Sequence, residues 1–230
     1  MFVYFDLDDT LLDHRHAERK ALADLRDRYL ALFGTLSVDE LQAQYRAVSE
    51  PLWREYETGA IDKETLQERR FADLLAEMEA PHADPALVRR YYVQCYRRHW
   101  RLVPGAQAAY EAIAEHLPVG LMTNGFAEVQ AEKLKEFPVL EERAETVVVC
   151  EENGALKPDP EAFRHATEQA GVEADEVLYV GDSYRTDVEG AQNAGWRVAW
   201  FTPDGPDDRS TDDCSFVFDD WDTLAERLTE

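Results

Sequence analysis

The chain has 230 residues, enough for one large domain or a core plus a smaller one, and either can bury a hydrophobic core. Its formal net charge of −24 is spread along the whole sequence, and such a surface repels nucleic-acid backbone and anionic lipid, arguing against a nucleic-acid polymer or a membrane as partner. No apolar run approaches the roughly 20 residues of a bilayer span, and the scattered Cys95, Cys150 and Cys214 read as reduced thiols of a cytoplasmic protein.

Residues 2–5 form a short β-prone apolar run, closed at once by charge, and read as a buried strand of a parallel sheet. A strand starting there leaves no room for a signal peptide. Its carboxyl end releases Asp6 and Asp8, separated by one residue. Strand carboxyl ends are where ligands collect in open α/β sheets. Two carboxylates turned to one point there need a cation; the plainer reading is an Asp-rich turn capping a strand.

From residue 14 to 100 the sequence is helical and charged. A first helix is expected over 16–32, with Ala21, Leu22, Leu25, Tyr29 and Leu32 on one stripe. Ser37 and Glu40 make a capping box for the next helix, which Pro51 is expected to end or kink. Asp62 is a plausible N-cap for 63–79, which Pro81 closes, and Asp84-Pro85 opens a helix to about 100. Such helices on short loops make a small bundle.

Past Pro104-Gly105, strands and helices alternate. Strands are expected over 119–122, 147–149, 177–180, 198–201 and 216–218, and helices over 106–116, 128–135, 160–170, 186–194 and 222–228. A polar Gly/Pro/Asp loop is expected over 203–213. The alternation predicts an α/β protein with a doubly wound, Rossmann-like parallel sheet core. The helical block becomes an inserted cap domain, 14–100, and the core comprises 1–13 and 101–230.

Three later strand ends carry suggestive groups. Thr123-Asn124-Gly125 offers a hydroxyl, an amide and a glycine that lets backbone N–H groups approach a ligand, although turn chemistry alone explains such a triplet. Lys157, fixed before Pro158 and a helix, is a counter-charge for an anion or a solvated surface lysine. Asp182 and Asp187 flank the last such turn, where an aspartate is often a cap or dipole partner. Taken together, these acids, the lysine and the hydroxyl-amide pair suit a hard divalent cation and a phosphate, and Mg²⁺ is the cation that uses few carboxylates and keeps phosphate oxygens.

The stretches FDLDDTLLD, LMTNG, LKPDP and GDSYRTDVEGA, in this order, resemble the four motifs of the haloacid dehalogenase superfamily of phosphohydrolases, over essentially the whole chain. The helical insertion resembles that superfamily's first class of helical cap. At finer grain, LWREYETGAIDKETLQERRF and TNGFAEVQAEKL are similar to the bacterial pyrimidine 5′-nucleotidase-like subgroup. The chain departs from it in the spacing of 137–146 and in Cys150, where a serine is expected. The resemblance implies that Asp6 is the nucleophile and Asp8 the general acid and base. It implies that Thr123 and the Asn124 backbone hold phosphate oxygens while Lys157 offsets charge. Mg²⁺ is then bound by the Asp6 carboxylate, the Asp8 carbonyl and the Asp182 carboxylate, with Asp187 behind them. The cap closes over the site and selects the substrate.

The expected activity is therefore Mg²⁺-dependent hydrolysis of a small-molecule phosphate monoester, a nucleoside monophosphate by the finer resemblance, in a monomer or homodimer. Trp53, Tyr56 and Phe71, with Arg54, Arg69 and Arg70 among them, are candidates to stack and hold a base; at helical spacing, aromatics are also what a bundle core contains. Asp8 argues against a dehalogenase, since halide leaves without a proton. The cap lysines Lys20 and Lys63 lack the apolar setting a phosphonatase needs. A sugar-phosphate phosphatase or phosphomutase shares the core motifs, and a catalytically silent domain would not need acids at 6, 8, 182 and 187. Only five of the 24 basic residues are Lys, which fits either an adaptation to concentrated salt or an ordinary acidic enzyme.

Overall fold

In the computed structural model, which describes residues 1–80, 82–205 and 214–230, the strands are β1 (Phe2–Phe5), β2 (Val119–Thr123), β3 (Thr146–Val149), β4 (Val177–Gly181), β5 (Arg197–Phe201) and β6 (Phe216–Phe218). They form one parallel sheet in the order β3-β2-β1-β4-β5-β6. Pro81, expected to close a helix, and residues 206–213 of the expected polar loop lie outside the described residues.

Sheet and flanking helices make one unit, Met1–Asp13 with Leu102–Glu230; His14–Arg101 makes the other, so Arg101 groups with the helices. Alternation along β1 sorts its side chains between the two faces of the sheet. Val3 and Phe5 pack with Leu121, Val180, Phe201, Tyr110 and Trp221. On the other face Tyr4 stacks on Trp196 at 5.3 Å, and Phe163 meets the same indole edge-on at 5.2 Å. A central strand covered on both faces has to be apolar throughout, and all four residues of β1 are buried. Strand order reverses beside β1, whose neighbours are β2 and β4, and in open α/β sheets ligands bind at the carboxyl ends of the strands at such a switch point.

The helical unit contains α1 (His14–Arg28), α2 (Leu30–Phe33), α3 (Val38–Glu57), α4 (Lys63–Glu77) and α5 (Pro85–Arg98). The capping signals at Ser37 with Glu40, at Asp62 and at Asp84 all form. One expectation fails: the helix expected over 16–32 breaks at Tyr29, whose φ of −119° and ψ of 51° are not helical, so α2 is a separate turn. Of the two outcomes expected at Pro51, an end or a kink, the end does not occur, since α3 runs six residues beyond it to Glu57. Leu41, Tyr45 and Ser49 before the proline and Leu52 after it are all buried, so packing on both sides outweighs the missing N–H.

The sheet unit adds α6 (Ala106–Ala114), α7 (Ala127–Glu136), α8 (Pro138–Arg143), α9 (Cys150–Asn153), α10 (Pro160–Ala170), α11 (Gly190–Asn193) and α12 (Trp221–Thr229). The short α8 and α9 were not expected. Pro138 at the start of α8 ends the preceding helix and begins a new one, which accounts for the unusual spacing of 137–146. The helix expected over 186–194 opens instead as a wide π-type turn, Tyr184–Glu189, before α11. Such turns are rare and concentrate at functional sites.

Candidate active site

The end of β1 is fixed before its chemistry begins, because the Asp6 N–H donates to the Val180 carbonyl at 2.9 Å and extends the ladder with β4. The chain then folds back sharply. Leu12 N–H bonds the Leu7 carbonyl at 2.7 Å, Asp9 N–H bonds the Leu12 carbonyl at 2.7 Å, and Asp9 takes a left-handed φ of 64°. Left-handed geometry in a non-glycine residue beside a functional group is local strain retained by its surroundings. This turn follows Asp6 directly and carries Asp8 within it.

Lys157 sits at the centre. Its side chain is 2% exposed, and its ammonium group donates to Asp6 Oδ1 at 2.8 Å, Asp187 Oδ1 at 2.8 Å and the Tyr179 hydroxyl at 2.5 Å, while Tyr179 donates onward to the Met122 carbonyl at 3.0 Å. It is therefore not a solvated surface lysine. Asn124 holds the backbone of Lys157 at both ends, donating to its carbonyl at 2.7 Å and accepting from its N–H at 2.8 Å. The Asn124 side chain is thus a staple between the end of β2 and the loop before α10, and only its main chain is left for a ligand. Thr123 is buried and its hydroxyl accepts from Gly125 N–H at 3.1 Å.

Carboxylate oxygens of Asp6, Asp182 and Asp187 lie within 4.8 Å of one another. Asp187 is fully buried and both its oxygens are engaged: Oδ1 by Lys157 and by the Thr186 hydroxyl at 3.2 Å, Oδ2 by Ser183 N–H at 3.0 Å. It leans directly on Gly181, where a Cβ would stand 2.4 Å from its Oδ2. Asp182 accepts from the Thr10 hydroxyl at 3.4 Å. Asp6 Oδ2 accepts no hydrogen bond among the described residues. Burial pushes the Asp6 carboxyl up to about 7, Lys157 opposes that, and Asp187 and Asp8 add to it. Burial alone would lower the Lys157 ammonium, but Asp187 and Asp6 outweigh it and hold it well above the usual lysine range. Two of the three carboxylates, Asp6 and Asp187, share the Lys157 ammonium, and the cluster's donors are all hard oxygens, a set that fits a divalent cation such as Mg²⁺.

Asp8 stands apart from that cluster. Lys133 pairs with its Oδ1, and Gln130 Nε2 donates to its Oδ2 at 2.8 Å. Sequence reasoning missed both residues of α7, because a lysine and a glutamine in a charged helix resemble a solvated face. Gly125 has a packing role as well: an added Cβ would fall 1.6 Å from Gln130 Nε2, so the glycine makes room for that side chain.

The helical unit places the aromatic candidates unequally. Phe71 is fully buried, with ring centroids of Tyr45 and Tyr92 at 5.7 and 5.2 Å, and belongs to the bundle core. Trp53 and Tyr56 are half-buried and meet edge-on at 5.7 Å. Arg54 and Arg69 are exposed, and Arg70 bonds the Tyr45 hydroxyl at 3.2 Å.

A profile described as haloacid dehalogenase-like hydrolase matches residues 2–195. The pyrimidine 5′-nucleotidase YjjG of Escherichia coli is 30% identical over 200 residues, covering 86% of this chain and 84% of its own length. A phosphoserine phosphatase of Thermus thermophilus is 33% identical over 216 residues, covering 85% and 86%. Among solved structures, magnesium-bound YfnB of Bacillus subtilis superposes with a TM-score of 0.85 at 27% identity, over 100% of this chain and 98% of that one.

Proposed function

The chain belongs to the haloacid dehalogenase-like hydrolase family, and from that membership we propose that it is a Mg²⁺-dependent phosphatase acting on small phosphate monoesters through an aspartyl-phosphate, with nucleoside monophosphates as substrates. The observation that carries the reading is the separate handling of two acids one residue apart. Asp6 is held by Lys157 with one oxygen unoccupied, and Asp8 is held elsewhere.

In this reading the unoccupied oxygen of Asp6 attacks phosphorus and the bond to the ester oxygen breaks, while Asp8 gives that oxygen its proton. Asp8 then takes a proton from water, whose oxygen attacks the phosphoryl group and breaks its bond to Asp6. Phosphate leaves and both carboxyl groups return to their starting states. Thr123 and the main-chain N–H of Asn124 hold phosphoryl oxygens, and Lys157 offsets their charge. Mg²⁺ would be held by the Asp6 carboxylate, the Asp8 carbonyl and the Asp182 carboxylate, and Asp187 orients Lys157. Bound there, the ion offsets the repulsion between an attacking carboxylate and a phosphate anion.

The nucleotide assignment is supported by the similarity to YjjG and by the half-buried Trp53–Tyr56 pair with exposed Arg54 and Arg69, groups able to stack a base and contact it. A second reading, phosphoserine or another small phosphate monoester, is favoured by the 33% identity to the Thermus enzyme. Purified protein assayed with nucleoside monophosphates, hexose phosphates and phosphoserine, in Mg²⁺ and in EDTA, separates them. Higher kcat/KM for pyrimidine monophosphates is the expected result. Preference for hexose phosphates or phosphoserine ends the nucleotidase assignment, and equal rates in EDTA end the metal requirement.

A further inference from the structure

Two buried lysines hold three of the acids of this site, Lys157 from the loop between α9 and α10 and Lys133 from α7. Lys157 takes Asp6 and Asp187. Lys133, one helical turn from Gln130 on α7, takes Asp8. Lys133 is 2% exposed and Gln130 1%, although both are long polar side chains. Burying an ammonium and an amide is costly unless each finds partners. Leucine at either position would dock α7 on the sheet at lower cost, as neighbouring Leu134 does. Their common target is the Asp8 carboxylate, one oxygen each. Gln130 Oε1 is buried without a hydrogen-bond partner, so its amide is committed to Asp8 through Nε2 alone. Even the missing side chain of Gly125 serves this contact, since any Cβ there would displace Gln130.

We propose that Lys133 and Gln130 are positioning residues for Asp8, a two-point clamp that fixes its carboxyl group off the Asp6–Asp182–Asp187 cluster and aimed for proton transfer. Without the clamp, Asp8, two positions along the chain from Asp6, loses the contacts that hold its two carboxylate oxygens toward α7. The inference rests on the phosphatase reading and on Asp8 as its proton donor. Misplacement by about 1 Å costs on the order of 10²-fold in such a step, and the loss scales with how much the leaving oxygen needs the proton.

The test uses dinitrophenyl, nitrophenyl and phenyl phosphate, whose leaving groups are increasingly basic, with wild type and the variants Lys133→Met, Lys133→Arg and Gln130→Leu. For Lys133→Met, kcat/KM should fall at least about 10-fold on phenyl phosphate and less than about 3-fold on dinitrophenyl phosphate, which needs little protonation. Gln130→Leu should show the same slope more weakly, and Lys133→Arg should restore most of the phenyl phosphate rate. Thermal melts accompany each variant; if Lys133→Met does not fold, Gln130→Leu carries the comparison. A loss uniform across the three esters, or none, overturns the clamp while wild-type turnover keeps the phosphatase reading. Wild type inactive on all three and on every natural monoester removes both.

Discussion

Glu18 in the helical unit and Asp6 in the sheet unit are both buried among charged partners, and the two are perturbed in opposite directions. In the helical unit, Glu18 is 5% exposed and meets Arg46 at 2.7 Å, Gln42 at 2.9 Å and His14 at 3.7 Å. Burial alone would raise its carboxyl, but His14, Arg46 and Gln42 outweigh that and bring it from an ordinary 4.5 down to about 2. In the sheet unit, Asp6 is buried to a similar degree and is pushed from 3.8 up to about 7, because burial, with Asp187 and Asp8 adding to it, outweighs the opposing Lys157 ammonium. The cluster around Glu18 is balanced, as a structural ion pair is. Around Asp6 the Lys157 ammonium is shared with Asp187, and a carboxyl raised this far is found more often at functional sites than in an ion pair that only holds helices together.

Asp6→Asn should break the comparison most visibly. Turnover of any phosphate monoester should fall by about 10⁴-fold or more, as for other lost nucleophiles. The metal-free variant should nevertheless melt no lower than wild type, because a neutral amide removes a buried charge. The pH dependence has a definite sign. A carboxyl raised in the folded state costs stability as pH climbs from 3.8 toward about 7, so metal-free wild type should weaken across that window and Asp6→Asn should not. Lower melting of Asp6→Asn in EDTA at pH 7 would make the Asp6 cluster structural too.

Lys157→Met comes next, because it removes the positive charge from between Asp6 and Asp187. Breaking a buried pair in this way costs about 3–5 kcal/mol, and the loss should be partly recovered by Mg²⁺ in a melt. Activity should fall on the order of 10²–10³-fold. A melt unchanged in EDTA would show that Lys157 does not hold this end of the sheet together.

Glu18→Gln is the counterpart in the helical unit. It should cost about 2–3 kcal/mol, below the fully buried range because Arg46 is one-third exposed and keeps some solvent. Nitrophenyl phosphate turnover should stay within about 2-fold of wild type. The pH sign is opposite to that of Asp6. A depressed carboxyl contributes stability above its ordinary 4.5 that disappears as pH falls toward 2, so acid should destabilise wild type more steeply than Glu18→Gln over that window. Parallel acid titrations of the two proteins, followed by circular dichroism, test it.

The same contrast explains what could be read from the sequence. Strand ends were legible because apolar runs stop abruptly at Asp6, Thr123 and Asp182, and the alternation with helices places them at one edge of a sheet. Lys157 was legible because a proline and a helix start pin it. Lys133 and Gln130 were not, since an amphipathic pattern treats every charge as solvated and nothing local marks a lysine whose partner is 125 residues away. The room that Gly125 leaves for Gln130 was not legible either, since the contact depends on how α7 packs. Phe71 was ambiguous for the opposite reason: an aromatic at helical spacing serves a core or a site equally well, and the core took it.

The smallest expected effect concerns the exterior, where neither cluster reaches. With 48 acidic and 24 basic residues, the surface carries far more like-charge repulsion than its pairs relieve. Exposed pairs such as Arg19–Asp39 at 2.9 Å and Arg164–Glu161 at 2.5 Å lose strength in salt, but each contributes only about 0–1 kcal/mol. The excess of 24 negative charges acts in the other direction, and at 1 M salt the screening length falls to about 3 Å, shorter than most distances between neighbouring surface charges. Repulsion should therefore win, and the melting midpoint should rise by a few degrees, roughly 2–6 °C, between low and molar KCl. The gain should be the same in Glu18→Gln as in wild type, because a buried pair is screened little. A flat or falling midpoint would leave the acidic surface as that of an ordinary enzyme, and a gain confined to wild type would mean that the salt acts through the buried cluster.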